Sequence, residues 1–579
     1  VRALPAYPEY RVAAIQFDPG HGKKERNIRG LSDLSYEAAE NGARLIVLPE
    51  MATTGYCWYD RAEVAPFVEP IPGPTTDRFG RIAADLGCYI AVGLPEVDPS
   101  TNIYYNALAF IGPRGVIGAY RKTHANIAEP RWARDGDAGF PVWETELGNI
   151  AGLICMDFCY FEPARIAALE GCDVIAFAAG WLDIKAPSPL WISAAFENGV
   201  YVIAADTWGC ERGFQFSGGS CILNPDGTVQ DRRDVGDGIV YGEVDVRRAR
   251  DKRFRTDAEE NRFSDRRPAE YLRLVQNTYL WDARKFHDLY HHAPLPAGRR
   301  SKVTVAQFRP EPGDVRGNID RMEGLLAGVD EDSELAVFPE LSLTGPIRDR
   351  GTLPEMSGLV EPLIRLAVAY RTYLVTSLPE EVDGVWYHTA LVAGPEGISG
   401  RYRKVHLGAA DRTWAAPGDL GFPTFDLPVG RVGLLVGYDI LFPESSACLA
   451  AWGCDLICVP SALRSPRPIG LGPTEIPFSP PIPRGQDPLH FLLWRVRAEQ
   501  ASAYLAFSNY CGDGYAGRSG VFGPELEVFP RDEVVLSEGV EEVGSLVLDL
   551  TDPGCPARVK DAMRMRQVHL YERLVRDTR

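Results

Sequence analysis

The chain has 579 residues, 45% hydrophobic and 24% charged, the balance of a globular protein long enough for three to five ordinary domains or two large ones. Its 61 Lys and Arg against 79 Asp and Glu give a formal charge of −18, which argues against wrapping nucleic acid or an anionic membrane surface. No stretch approaches the roughly 18 uninterrupted apolar residues of a spanning helix, and Val1-Arg-Ala-Leu-Pro5 lacks the apolar core of an export signal, so the expected location is cytoplasmic.

Short apolar runs of strand length fall at 11–17, 44–49, 89–95, 106–111, 149–155, 174–179, 201–206 and 239–244. Helical spacing lies between several of them. Asn27 to Glu40 ends at Gly42, Thr75 to Leu86 at Gly87, and Trp191 to Glu197 at Gly199, each glycine a C-terminal stop. Strands alternating with helices predict sheets covered by helices. Three runs end in a reactive side chain. Glu50 follows Leu45-Ile-Val-Leu-Pro, Lys122 follows Ile117-Gly-Ala-Tyr-Arg, and Cys155 follows Asn149-Ile-Ala-Gly-Leu-Ile. Strand ends are where the reacting groups of α/β proteins gather.

After residue 300 the chain repeats itself. Arg11-Val-Ala-Ala-Ile-Gln-Phe17 returns as Lys302-Val-Thr-Val-Ala-Gln-Phe308, and Leu45-Ile-Val-Leu-Pro-Glu50 as Leu335-Ala-Val-Phe-Pro-Glu340. Tyr89-Ile-Ala-Val-Gly-Leu-Pro-Glu96 returns as Tyr373-Leu-Val-Thr-Ser-Leu-Pro-Glu380, and Tyr120-Arg-Lys-Thr-His124 as Tyr402-Arg-Lys-Val-His406. The offset drifts from 291 to 282 residues, as loop insertions in a duplicated large domain would make it. We expect a first domain over 1–275, a linker over 276–300 and a second domain over 301–579. A proline-rich stretch, 462–489, has no counterpart in the first copy and reads as a surface lid, an interaction loop or a tolerated insertion.

Twelve cysteines are present. Cys155/Cys159 and Cys454/Cys458 are C-x3-C pairs, but neither has the further close Cys or His pair of a zinc site, and no metal is expected. Most lie in apolar runs and read as reduced, buried thiols. Cys155 differs by its company. A thiol beside a carboxylate and an ammonium can be deprotonated, positioned and supported at an oxyanion. Only nine of the 61 basic residues are Lys, and two of these, Lys122 and Lys404, share one repeat position. A compact ammonium is what Arg would not mimic there, though shared descent explains the same fact.

Leu-Pro-Glu50, Tyr-Arg-Lys122-Thr-His and Gly-Leu-Ile-Cys155-Met-Asp resemble the Glu, Lys and Cys signatures of the nitrilase superfamily of carbon–nitrogen hydrolases. Tyr160-Phe-Glu-Pro-Ala-Arg165, Ala195-Phe-Glu-Asn-Gly-Val-Tyr-Val202, the Phe216 to Gly227 hairpin and Arg266-Arg-Pro-Ala-Glu-Tyr271 resemble further family segments. The resemblance covers about 10–271 and, more loosely, 301–572. It implies two tandem αββα four-layer sandwiches, packed as a pseudo-dimer within the chain, with further homo-oligomers open. It also implies Cys155 as nucleophile, Glu50 as general base, Lys122 and the Met156 N–H as oxyanion donors, and Glu129 as a positioning carboxylate. No cofactor is implied.

The second copy departs from the pattern. Glu340 and Lys404 remain, Asp411 stands where Glu129 does, and Gly437 takes the nucleophile position. It reads as a pseudo-enzyme domain whose degenerate site holds a ligand or its own ion pair. The Cys155-Met-Asp157 triplet resembles the Cys-x-Asp of amidases and N-carbamoyl amide hydrolases more than the Cys-Trp-Glu of nitrilases. The resemblance thus implies hydrolysis of a non-peptide C–N bond in a small molecule, with release of ammonia or an amine. Nitrile hydrolysis, amide-forming acyl transfer and a non-catalytic binding or assembly role remain alternatives. Tyr56, Trp58, Trp132 and Trp181 lie near the motif ends and are candidates to line the pocket or to pack a core. Phe158 and Tyr160 follow the nucleophile, and Cys159 lies off the strand end.

Overall fold

A computed structural model describes residues 8–126, 128–182, 186–254, 259–276, 296–329, 332–352, 357–464, 493–526, 528, 531–552 and 554–577. Most of the expected linker (277–295) and most of the proline-rich stretch (465–489) lie outside the described residues. The chain forms two compact units. The first comprises residues up to Phe254 together with His569–Leu574, and the second takes the remaining described residues. The Arg266 to Tyr271 segment, which the repeat assigns to the first copy, thus groups with the second unit. A segment near the end of the second copy groups with the first.

In the first unit, one sheet runs edge to edge through Gly238–Asp245, Glu9–Gln16, Ala43–Val47, Tyr89–Val97, Tyr104–Gly112 and Gly115–Arg121. Its inner pairs Glu9–Gln16 with Ala43–Val47 and Ala43–Val47 with Tyr89–Val97 are parallel, and the flanking pairs are antiparallel. A second sheet runs through Val229–Arg233, Ser220–Leu223, Tyr201–Asp206, Val174–Ala179, Gly148–Ile154 and Val142–Thr145, with parallel pairing at its centre. The sheets pack face to face. At Gly152 a methyl group would collide with Leu108 of the other sheet, so glycine there permits the close approach. Helices Lys24–Glu40 and Pro74–Leu86 cover the outer face of the first sheet, burying Leu31, Ala38, Phe79 and Ile82 against Ile15, Ile46 and Ile90. Helices Phe161–Leu169 and Pro189–Asn198 accompany the second sheet, giving four α/β layers. Burial on both faces is why the central strands read as continuous apolar runs.

Local signals agree with these elements. Helix Pro74–Leu86 ends on Gly87 at φ 64° and helix Pro189–Asn198 on Gly199 at φ 56°, left-handed positions where glycine carries no steric penalty. Ser188 accepts from the Leu190 N–H and Pro189 opens that helix. The runs absent from the strand-length stretches include Val142–Thr145, Trp208–Glu211, Phe214–Ser217, Ser220–Leu223 and Val229–Arg233, all short and most of them half-exposed.

The second unit repeats the plan. One sheet runs through Gly397–Arg403, Val385–Gly394, Tyr373–Val382, Ser333–Val337, Arg300–Gln307 and Glu542–Asp549. The other runs through Thr424–Leu427, Gly430–Leu434, Leu456–Pro460, Tyr504–Ser508, Gly520–Phe522 and Glu533–Val535. Among the described residues no helix is long and apolar enough to cross a membrane.

Phe79 is fully buried between helix and sheet. Phe79→Ala is expected to cost the first unit about 3–5 kcal/mol, measured as a lowered urea midpoint of its unfolding transition.

Candidate functional site

Both sheets of the first unit deliver polar groups to one place. The first sheet contributes Glu50, just beyond Ala43–Val47, Asn106 from within Tyr104–Gly112, and Lys122, just after Gly115–Arg121. The second contributes Cys155, immediately after Gly148–Ile154, and Gly180, after Val174–Ala179. Glu50, Lys122 and Glu129 are each no more than 2% exposed. The Lys122 ammonium lies 2.7 Å from Glu50 Oε1 and 2.9 Å from Glu129 Oε2. Asn106 Nδ2 donates to Glu50 Oε1 at 2.7 Å and also to Glu129 Oε1. Glu129 Oε2 accepts from the Asn126 N–H at 2.6 Å.

The cluster holds two carboxylates and one ammonium away from water, and its titration reflects that. Burial pushes the Glu50 carboxyl up to about 7, against the pull of Lys122 and with the push of Glu129. Burial works against the Lys122 ammonium, but Glu129 and Glu50 outweigh it and hold the lysine well above its ordinary range. Burial, then Glu50, push the Cys155 thiol well up, while Lys122 opposes them. Glu50 Oε2 is buried without a hydrogen-bond partner. Gly180 lies beside it, since a methyl group there would approach Oε2 to 3.1 Å, and the Cys155 thiol points at the Gly180 carbonyl at 3.8 Å.

Cys155 sits at φ 43°, a left-handed conformation uncommon for a residue with a side chain. It opens a turn of 3-10 helix, Cys155–Cys159, whose early N–H groups, Met156 among them, have no acceptor within the turn. Asp157 fixes that turn. Its Oδ2 accepts from the Ile154 N–H at 2.9 Å and the Tyr120 hydroxyl at 2.8 Å, and its Oδ1 takes His124 Nδ1 at 2.9 Å.

The aromatic candidates divide. Tyr56 faces the ammonium, with Lys122 Nζ 5.8 Å from its ring centre, and packs with Trp58, Trp132, Met51, Tyr104 and Phe216 in one buried cluster. Trp58 turns toward His21 and Phe67 instead. Trp181 packs edge-on against Trp191, and its backbone N–H donates to Asp206 at 2.9 Å. Tyr56 Oη, Trp132 Nε1 and Trp181 Nε1 are buried without a protein partner. Phe158 stacks on Phe177 at 3.8 Å, and Tyr160 stacks on His124 at 4.2 Å.

Sequence reasoning did not single out Asn106, Gly180, Asp206 or His124. Two of them carried a legible signal, a polar residue set in an otherwise apolar strand. Asn106 stands in Tyr-Tyr-Asn-Ala-Leu, where the second copy has His388, and Asp206 stands where it has Asn509. Burial pushes the Asp206 carboxyl well up, toward a neutral group that resembles the asparagine.

The second unit keeps the frame and changes its contents. Gly437 holds the same φ of 43° as Cys155. Lys404 is drawn to Asp411 at 2.6 Å and lies 3.6 Å from Glu340. His388 spans Asp411 Oδ1 at 2.8 Å and Ser377 Oγ at 2.7 Å, so it makes no bond to Glu340 like that of Asn106 to Glu50. Burial pushes Asp411 up, but Lys404 and His388 outweigh it and hold the carboxyl well below its usual range. The Glu340 carboxyl, raised by burial, lies where a side chain at 437 would begin, inside contact distance of the position of its Cβ.

Residues 11–254 and 302–550 each match the family model described as carbon-nitrogen hydrolase. A protein named nitrilase from Pyrococcus abyssi is 37% identical over 265 residues, spanning 45% of this chain and 99% of that protein. An (R)-stereoselective amidase of a Pseudomonas species is 29% identical over 279 residues, 46% of this chain and 92% of its own. Among solved structures, an amidase from a Nesterenkonia species matches 44% of this chain and 96% of its own, at 22% identity and a TM-score of 0.37.

Gly437→Cys is expected to place a Cβ against the Glu340 carboxylate and to cost about 1–3 kcal/mol as overpacking. The new thiol should react with iodoacetamide no faster than a buried cysteine, followed by intact mass with melting as the parallel measurement.

Proposed function

The chain belongs to the carbon–nitrogen hydrolase family, and from that premise we propose that its first unit hydrolyses a small linear amide or N-carbamoyl group through a thioester on Cys155. The observation that carries this reading is the thiol on a positive-φ strand end next to a carboxyl pushed up to about 7 and a buried, doubly paired ammonium.

Glu50 takes the thiol proton as Sγ bonds to the carbonyl carbon, so no free thiolate has to persist in a site whose burial disfavours it. The carbonyl π electrons move to oxygen, where the Lys122 ammonium and the Met156 N–H hold the charge. Glu50 then gives its proton to the leaving nitrogen, the C–N bond breaks, and the thioester remains. The same carboxylate next takes a proton from water as water attacks the thioester, and returns it to Sγ as the C–S bond breaks, releasing the acid and restoring the thiol. Glu129 and Asn106 keep Lys122 and Glu50 in place throughout. Tyr56, Trp132 and Trp181 offer the substrate apolar faces and unclaimed polar atoms.

The second unit, with Gly437 at the nucleophile position, performs no thiol chemistry on this reading, and its Glu340–Lys404–Asp411 set holds itself together. The Cys155-Met-Asp157 triplet favours amides over nitriles. The Pyrococcus relative's name keeps nitrile hydrolysis as the second reading, and paired amide and nitrile assays for acid and ammonia separate the two.

Cys155→Ala should abolish turnover and the acyl adduct seen on Cys155 by intact mass, whereas Cys159→Ala should retain most of both. A fully active Cys155→Ala protein overturns the reading. Because Glu50 must be ionised to act as base, kcat/KM should fall as pH drops through about 7, following the raised carboxyl. A profile flat from pH 5 to 8 argues against Glu50 as that base.

A further inference from the structure

The nucleophile turn of the first unit is tied to the far end of the chain. His569–Leu574 belongs to this unit, and the Tyr571 hydroxyl lies 3.0 Å from His124 Nε2. Both rings are fully buried. The other imidazole nitrogen, Nδ1, lies 2.9 Å from Asp157 Oδ1, and the His124 N–H reaches the same oxygen at 3.2 Å. Asp157 closes the turn on which Cys155 stands, through the Ile154 N–H. In a neutral imidazole whose Nδ1 donates to Asp157 Oδ1, Nε2 is the acceptor for the Tyr571 hydroxyl. The relay therefore runs from Tyr571 through His124 and Asp157 to the residues on either side of the thiol. His124 also lies two residues beyond Lys122, so one ring braces both the ammonium strand and the nucleophile turn.

The same relay occurs a second time in the chain. In the second unit Tyr271 lies beside His406 Nε2, His406 Nδ1 is 2.7 Å from Asp439 Oδ1, and Asp439 Oδ2 accepts from the Val436 N–H at 3.0 Å. That relay closes the turn carrying Gly437, where no thiol stands. The chain thus contains its own comparison, with the same Tyr–His–Asp order at a turn with a thiol and at one without, the Tyr271 hydroxyl also accepting from the Arg267 N–H at 3.0 Å.

We propose that Tyr571 is a positioning residue for Cys155, acting through His124 and Asp157, so that the first copy's site is completed only by the last segment of the second copy. The catalytic consequence rests on the thiol mechanism proposed above, while the bracing itself does not. Removing the hydroxyl leaves a buried imidazole nitrogen without its donor, loosens the closure of the 154–157 turn and misplaces the sulfur relative to the Lys122 ammonium.

The experiment compares full-length Tyr571→Phe and Tyr271→Phe, which delete the same atom from the two relays. Three quantities are measured: hydrogen exchange of the peptide spanning 150–160, iodoacetamide labelling of Cys155 by intact mass from pH 6 to 9, and kcat and KM on the amide. Tyr571→Phe should speed exchange at 154–157 and lower both kcat and the labelling rate about tenfold, with KM within about twofold. Tyr271→Phe should change none of the three, while melting drops by a similar amount in both. Equal behaviour of the two variants overturns the proposal, as does unchanged exchange at 154–157 in Tyr571→Phe. The exchange readout needs no turnover, so a wild-type protein that forms no acyl adduct counts against the proposed function alone. If Tyr571→Phe melts far below Tyr271→Phe, exchange on the remaining folded protein at low temperature decides the matter.

Discussion

The site is organised around a single buried ammonium. Lys122 is almost fully removed from water, and a lone charge there would be prohibitively expensive without close partners. Glu50 and Glu129 supply them at 2.7 and 2.9 Å. Two carboxylates against one ammonium leave a net negative charge in a dry place, however, and Glu50 absorbs the imbalance by holding its proton up to about pH 7. A structural ion pair would be better balanced with one carboxylate. Burial, helped by the second carboxylate, makes Glu50 a group that exchanges a proton near neutrality, which is what acid–base work requires. The electrostatics that make the cluster costly to bury are therefore the same ones that give it chemistry.

The rest of the first unit holds that cluster against a thiol. Glu50, Asn106 and Lys122 come from one sheet, Cys155 and Gly180 from the other, so their separations depend on how closely the two sheets pack. Small residues set that spacing. Across the sheets, a Cβ at Gly180 would crowd Glu50 Oε2; within the first sheet, a Cβ at Gly93 would collide with the Pro49 carbonyl oxygen and lie 2.9 Å from Glu50 Cα. The second unit has Ser377 in place of Gly93, and the serine hydroxyl takes up the Leu341 N–H and His388. That change, with histidine for asparagine and aspartate for glutamate, moves the hydrogen bonds and the ammonium to Asp411 and leaves Glu340 Oε2 without a hydrogen-bond partner. Asp411 is one methylene shorter than Glu129, so Lys404 follows it and stands back from Glu340.

Much of this was legible in the sequence, for a local reason. Strands buried on both faces and helices stopped by glycine announce themselves within ten residues. The ends of those strands then point to Glu50, Lys122 and Cys155. Asn106 was legible only as an oddity, a polar residue within an apolar strand, because what it bonds lies 23 and 56 residues away in sequence. Gly180 matters for the space it leaves, which no pattern of side chains reports. The half-exposed hairpin Trp208–Ser217 lacks a strong period, yet it carries Glu211, which accepts from the Tyr56 N–H and His21 and so holds the loop bearing Tyr56. Tyr571 is 447 residues from His124, and the repeat pattern places it in the other copy. Periodicity shows that a duplicate exists, but not to which unit its last turn belongs.

The two relays bear on how a duplicated chain can let one copy lapse. The turn at 437 has the left-handed backbone, the Asp439 closure and the His406–Tyr271 brace with no side chain at its first position. Glycine is the least strained residue at φ 43°, whereas Cys155 bears that strain at the opposite turn. Glycine at this position therefore leaves the turn of the second unit locally less strained than that of the first. The first unit's described residues include the last turn of the other copy, whose Tyr571 reaches His124. The frame and the nucleophile are thus separable features of this fold, as Gly437, Asp439 and His406 illustrate.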